Sequence, residues 1–274
     1  MIQNRAETDM PFKYIIGPCS MESKEIMEEI AVEAISISEK FNVEVIFKAS
    51  FDKANRTSIS SYRSVGIKKG LEFLSEIKSK YNLMVTTDVH ETWQVEPCVE
   101  IIDVIQIPAF LCRQTELLVE CGRLFSKVNI KKGQFMAPED MEYAVEKVKS
   151  GNPNLKINDV WVTERGTSFG YRNLVVDMRS IPIIRNFAPC IFDVTHSTQR
   201  PGALNGSSGG DSKWAPFLAR AAAAIGVNGF FIETHPNPSV ALSDGPLMIP
   251  LKELSKLVHD LEAVRMVEKS SLAK

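Results

Sequence analysis

No apolar run in the 274 residues approaches the roughly 18 needed to cross a membrane, and the opening MIQNRAETDMPFKY holds no apolar signal core. A cytoplasmic protein without membrane contact is expected. An excess of positive charge is missing as well. Lys and Arg number 32 against 34 Asp and Glu, for a net charge of −2, so nothing in the total favours a polyanionic nucleic acid as partner. The five cysteines are odd in number and irregularly spaced, with no CxxC pair, which fits a reducing compartment better than a disulfide framework or a structural zinc site. GxGxxG, GxxxxGK[ST] and HExxH are all absent, leaving nucleotide-binding and zincin readings without their motifs. Internal repeats and low-complexity tracts are lacking too.

What is present is an ordinary globular composition, 44% hydrophobic and 24% charged, in which short β-rich runs alternate with longer amphipathic stretches. That order predicts parallel strands joined by helical crossovers. Strands are expected at 14–17, 43–48, 83–89, 104–107, 128–131, 160–164, 191–195 and 229–233, rich in Val, Ile and Phe with little polar alternation, as strands covered on both faces should be. Helices are expected at 22–41, 61–81, 91–99, 113–125, 138–150, 213–225 and 250–267, with Pro138 in a first turn. Eight strands with intervening helices over 1–274 predict a single-domain α/β fold, the (β/α)8 TIM barrel, ahead of an open doubly wound sheet. The stretch GALNGSSGG at 202–210 is expected to be a mobile loop over a site.

In such a barrel the active site lies at the C-terminal rim. The residues closing the expected strands are Cys19, Lys48, Asp88, Gln106, Lys131, Arg165, His196 and Glu233, with Asp244 following. Unpaired buried charge is costly, so polar ends on eight apolar strands point to a site, with salt bridges sealing the barrel mouth as the plainer explanation. Lys48, Lys53, Arg56, Lys131 and Arg165 suit an anionic substrate carrying phosphate or carboxylate. Lys132 reads as solvated surface charge. Cys19, His196, Glu233 and Asp244 suit a borderline divalent cation such as Zn2+, Fe2+ or Mn2+, although a buried Cys or His is also commonly plain core. His90 and His235 are placed as supporting groups behind that cluster, and the remaining cysteines and His259 as structural or surface residues.

The strings IIGPCSMES (15–23), FKASFDKANRTS (47–58), TTDVHE (86–91), DVIQIPAFLCRQTEL (103–117), VNIKKGQFMAP (128–138), ERGTSFGYRNLVVDMR (164–179), FDVTHSTQRPG (192–202) and FIETHPNPSVALSDGP (231–246) resemble the 3-deoxy-D-manno-octulosonate 8-phosphate synthase family over nearly the whole chain. The resemblance implies a (β/α)8 barrel, usually a homotetramer. The implied reaction condenses phosphoenolpyruvate with D-arabinose 5-phosphate and water, releasing phosphate, on the route to the Kdo sugar of lipopolysaccharide. It implies that Lys131 and Arg165, with the backbone near Ala109 and Phe110 and with Arg113 nearby, hold the phosphoenolpyruvate phosphate, and that Lys48 lies near its carboxylate. Gln106 belongs to the same substrate site. Arg56 and Thr57 would take the arabinose 5-phosphate phosphate, the site being completed across a subunit boundary, with Lys53 and Asn55 on the sugar. Asp88, Lys53 and His196 are the proton carriers by position. Cysteine in GPC, together with SDG at 243–245, points to the metal-dependent class, with Cys19, His196, Glu233 and Asp244 as ligands. The alternative acceptor is erythrose 4-phosphate, as in 3-deoxy-D-arabino-heptulosonate 7-phosphate synthases, against which KANRTS speaks because that group typically reads KPRTS. A non-catalytic sugar-phosphate-binding barrel is the remaining reading. The stretch GNPNLKIND at 151–159 has no functional account at this level.

Overall fold

The computed structural model describes residues 11–56, 58–168, 173–204 and 207–272. Eight strands alternate with crossovers along the chain: β1 (Lys13–Gly17), β2 (Glu44–Lys48), β3 (Met84–Asp88), β4 (Val104–Ile107), β5 (Val128–Lys131), β6 (Val160–Glu164), β7 (Cys190–Asp193) and β8 (Gly229–His235). Each pairs in parallel with its neighbours in chain order. Pairing of β1 with β8, Lys13 opposite Gly229 through Gly17 opposite Glu233, closes the sheet into a (β/α)8 barrel. Closure brings backbones close at the rim. A Cβ on Gly17 would lie 1.7 Å from the Lys48 carbonyl oxygen, so only glycine fits where β1 leaves the sheet beside β2.

The outer ring consists of α1 (Lys24–Phe41), α2 (Ile67–Tyr81), α3 (Thr115–Leu124), α4 (Met141–Gly151), α5 (Ser180–Arg185), α6 (Ala215–Ile225) and α7 (Leu251–Leu272). In α1 the Ser23 hydroxyl caps the Ile26 N–H, and Met27, Ile30, Ala31, Ala34 and Ile37 face the sheet, the i, i+3, i+4 stripe of a helix buried on one side. Residues between the barrel and its helices form the large core, whereas Ile15, Ile46, Val104, Trp161, Ile191 and Phe231 pack inside the barrel.

Several expectations need correction. The helix expected over 91–99 is two 3-10 turns, Thr92–Gln94 and Glu96–Cys98, because Pro97 has no N–H to continue an α-helix. The β3–β4 crossover therefore carries no α-helix. Helix α2 starts at Ile67 rather than 61, since Lys53 N–H bonds to the Arg63 carbonyl and Gly66 N–H to that of Phe51, folding the preceding chain back as a loop. Helix α4 starts at Met141, and Pro138 lies in the turn before it. The loop expected at 202–210 belongs to an antiparallel hairpin, Gln199–Leu204 with Ser207–Gly210, and its residues 205 and 206 lie outside the described residues. Helix α5 and a short hairpin, Thr167–Ser168 with Leu174–Val175, were not anticipated. The stretch 151–159 supports the barrel interior. Its Asn158 carbonyl accepts the indole N–H of Trp161 at 2.7 Å, fixing the largest side chain of the inner barrel.

Candidate active site

Side chains on a strand alternate between faces, and the inward positions of this barrel change character along its axis. The lower ones are apolar, as in Ile15, Ile46 and Phe231. The upper ones are polar and buried: Lys48, Asp88, Gln106, Asn129, Lys131, Thr163, Asp193 and Glu233. The expectation of strands with little polar alternation thus fails in the upper half, where the inner face is a site rather than a core.

These groups are nearly all satisfied by one another. Thr163 Oγ1 donates to Asn129 Oδ1 at 2.8 Å, Asn129 Nδ2 to Gln106 Oε1 at 2.8 Å, and Gln106 Nε2 to Asp88 Oδ1. This belt runs in one direction across β6, β5, β4 and β3 and ends on a carboxylate. The other Asp88 oxygen accepts from Ser50 and faces Lys53 at 3.7 Å and Lys48 at 4.0 Å. Lys48 donates to Glu233 Oε1 at 2.6 Å and to the Cys19 carbonyl at 3.1 Å. Lys131 pairs with Asp193, which also accepts the His196 N–H at 2.8 Å and lies 2.9 Å from His196 Nδ1. Burial would raise these carboxyls. The neighbouring cations reverse the sign, so that Lys48 and Lys53 hold Asp88, Lys48 and His196 hold Glu233, and His196 and Lys131 hold Asp193 well below the usual carboxylate range. Burial pulls Lys131 down, and Asp193 opposes it only in part.

Above this floor opens a cavity of about 290 Å3, lined by Lys48, Lys53, Asn55, Arg56, Asp88, Gln106, Ala109, Lys131, Arg165, His196, Glu233 and Asp244, with His90, Gln199 and Ser243 beside them and Gln134, which was not anticipated. Arg165 donates to Gln199 Oε1 at 2.9 Å through one guanidinium nitrogen, while the buried Nη1 has no hydrogen-bond partner among the described residues. Thr57 lies outside the described residues. Arg113 is exposed and does not line the cavity, although its chain neighbours Ala109 and Phe110 do.

At one side Cys19 Sγ, Glu233 and Asp244 offer ligand atoms all within 4.8 Å of one another. Cys19 Sγ is 2.9 Å from Asp244 Oδ2. Glu233 Oε2 is buried without a hydrogen-bond partner, and His196 Nε2 lies 3.5 Å from it. Because Asp193 holds Nδ1, the imidazole presents Nε2 to this corner. Sulfur and oxygen donors with an orphaned carboxylate oxygen fit a borderline divalent ion, while the expected fourth ligand, His196, stands beside these three rather than among them. Burial, then Asp244 and Glu233, push the Cys19 thiol up, and only a cation would favour its thiolate there.

One residue lies elsewhere than its sequence suggests. Lys132 is fully buried, not surface charge: its ammonium lies 3.6 Å from Glu164 Oε2 and is ringed by the carbonyls of Gly133, Met136 and Gly166. Alternation sends Lys131 into the barrel and Lys132 behind it, under the rim loops. His235, expected behind the sulfur and carboxylate cluster, is buried and faces Glu22. Asp193, which holds both Lys131 and His196, was missed. Its signal was its inward position on β7, level with Lys131 and Glu233.

With this geometry in view, the profile of the DAHP synthetase I family matches residues 3–269. The chain belongs to the DAHP synthetase I family. Among its relatives are proteins named 2-dehydro-3-deoxyphosphooctonate aldolase from Wolinella succinogenes (54% identical over 257 residues, 91% of this chain and 98% of the relative), Helicobacter hepaticus (54% over 252 residues, 89% and 93%) and Campylobacter jejuni subsp. doylei (51% over 260 residues, 92% and 97%). That name is a synonym for the synthase family whose strings the sequence resembles. This member of the DAHP synthetase I family has no helix among its described residues long and apolar enough to cross a membrane.

Proposed function

We propose that the chain is a 3-deoxy-D-manno-octulosonate 8-phosphate synthase, condensing phosphoenolpyruvate with D-arabinose 5-phosphate and water to give the eight-carbon sugar acid phosphate and inorganic phosphate. The observation that carries this reading is the convergence of Lys48, Lys53, Arg56, Lys131 and Arg165 on one cavity, with a buried Arg165 nitrogen still lacking an acceptor. Two phosphorylated substrates need such a surface. Fold alone would not decide the activity. The shared name of relatives that are half identical over nearly their full length supports the acceptor.

Lys131 and Arg165, beside Ala109, would hold the phosphoenolpyruvate phosphate, with Lys48 towards its carboxylate. Arg56 and Thr57 would take the phosphate of the sugar, and Lys53 and Asn55 its hydroxyls. C3 of phosphoenolpyruvate then forms a bond to the aldehyde carbon, water adds at C2, and the tetrahedral product loses phosphate by C–O cleavage. Weak nucleophile and aldehyde react because they are held together and polarised. Asp88, kept ionised between two lysines, holds them in place, and with Lys53 and His196 it stands where protons must move. Cys19, His196, Glu233 and Asp244 would hold a divalent ion, Zn2+, Fe2+ or Mn2+, which when bound supplies a Lewis acid at the aldehyde end of the cavity. The hairpin at 199–210 follows β7 and supplies Gln199 to the lining, a position from which it would cover bound substrates. Five cysteines free of disulfides support a cytoplasmic location, and the exposed Phe110 at the cavity mouth supports a homotetramer in which a neighbour completes the sugar phosphate end.

Phosphate release measured with each aldose phosphate, with and without chelator, tests the whole reading. Turnover with arabinose 5-phosphate, lost in chelator and restored by a divalent ion, is expected. Preference for erythrose 4-phosphate would overturn the acceptor, full activity in chelator the ion, and binding without product the enzyme.

A further inference from the structure

Of the three segments that supply Cys19, Glu233 and Asp244, the barrel holds two, since Gly17 pairs with Glu233 and Lys48 donates both to Glu233 and to the Cys19 carbonyl. Asp244 sits outside the barrel strands, in a loop with a left-handed backbone at φ 50°, a conformation that aspartate tolerates. Leu242 in that loop is 55% exposed, so its side chain does not bury the segment.

One carboxylate joins that loop to the segment of Cys19. Glu22 is three residues beyond Cys19. Its Oε1 accepts the N–H of Leu242 at 2.9 Å, two residues before Asp244. Its Oε2 lies 3.7 Å from Nε2 of His235, two residues after Glu233. His235 is buried, and its Nδ1 accepts the Asn237 N–H at 3.0 Å. A neutral imidazole with Nδ1 as acceptor carries its proton on Nε2, which faces Glu22 from beyond hydrogen-bond distance and has no hydrogen-bond partner among the described residues. Helix α1 does not need the Glu22 side chain, because Ser23 caps it.

We infer that Glu22 is a positioning residue that sets the distance of Asp244 from Cys19 and Glu233, by tying the loop of Asp244, through the Leu242 N–H, to the segment of Cys19. The inference rests on the proposed divalent-ion site. Groups behind metal ligands characteristically change affinity about 10- to 100-fold when removed, and Glu22 acts on the one ligand that the barrel strands do not place.

The test is Co2+ and Zn2+ affinity of the full-length protein, by competition with a chromophoric chelator, for wild type, Glu22→Ala, Glu22→Gln and Cys19→Ala. Unfolding in chelator serves as the check on the fold. Glu22→Ala is expected to weaken both ions about 10- to 100-fold and to diminish the Co2+–thiolate charge-transfer band, while melting like wild type without metal. Glu22→Gln keeps the acceptor for Leu242 but not the charge that faces His235, and is expected to fall between the two; it also answers the question should the alanine variant not fold. Wild-type affinity in Glu22→Ala, or in Glu22→Gln if only that variant folds, alongside lost affinity in Cys19→Ala overturns the role of Glu22. Wild-type affinity in Cys19→Ala overturns the ion site itself, and the inference with it.

Discussion

Replacing Asn129 interrupts the belt that ends on Asp88 at its middle. Asn129→Leu removes the acceptor for Thr163 Oγ1 and the donor to Gln106 Oε1, leaving two groups stranded where Thr163 is fully buried and Gln106 is 1% exposed. Each orphan costs about 1–3 kcal/mol, so a loss of about 2–6 kcal/mol is expected, seen as a fall of roughly 5–15 °C in melting temperature for a chain of this size. The freed Gln106 amide no longer fixes Asp88, and kcat/KM is expected to drop about 10- to 100-fold, the usual effect of a misplaced group at a reacting centre. Asn129→Asp separates the belt from simple packing. The introduced carboxyl can donate to Gln106 and accept from Thr163 only when protonated, so its pKa in the folded protein is raised above the unfolded value of about 3.9. Between those two values the folded state binds the extra proton, and stability falls as pH rises. Urea unfolding of wild type and variant at pH 5 and pH 7.5 should show a stability gap wider at the higher pH by up to about 3 kcal/mol. The same gap at both pH values would refute a directional belt through Asn129.

Lys132→Met leaves Glu164 buried without its cation and is expected to cost about 3–5 kcal/mol, much of it recovered in the double variant Lys132→Met/Glu164→Gln. A silent single variant in urea unfolding would mean that Lys132 is solvated after all. Gly17→Ala places a methyl 1.7 Å from the Lys48 carbonyl and must separate β1 from β2, so little folded protein should accumulate. A wild-type circular dichroism melt would show that the barrel does not close as tightly as described.

All eight strands were legible within one or two residues at most ends, because helices cover their outer faces and even the polar inner face is interrupted by Val, Ile or Phe at every second position. The rim was legible for the same reason: Lys48 and Glu233 break off apolar runs where a core would have continued. Asp193 was hidden because it stands between Phe192 and Val194, inside the apolar run expected as a strand, whereas attention to the residue closing that run finds His196. Lys132 was misread because KKG looks like surface sequence, and its burial depends on the carbonyls of Gly133, Met136 and Gly166, which no local pattern predicts. The β3–β4 crossover failed on a single proline, since apolar spacing favoured a helix that Pro97 cannot continue.

The near-zero net charge of the chain conceals a local imbalance that follows from these pairings. Around the cavity stand five cations, Lys48, Lys53, Arg56, Lys131 and Arg165, against four carboxylates, Asp88, Asp193, Glu233 and Asp244. Lys48 is neutralised by Glu233 and Lys131 by Asp193, so these buried charges can persist without substrate. Arg165, by contrast, faces a neutral glutamine and keeps a nitrogen without an acceptor. The cavity is therefore only slightly positive, while the two proposed substrates carry two phosphates and a carboxylate between them. Binding both at once requires the acidic side of the cavity to be offset as well, and the proposed divalent ion among Cys19, His196, Glu233 and Asp244 would supply that offset where the carboxylates are densest. The cationic wall and the ligand cluster are then parts of one charge balance, and substrate affinity should depend on the ion even in steps where it does no chemistry.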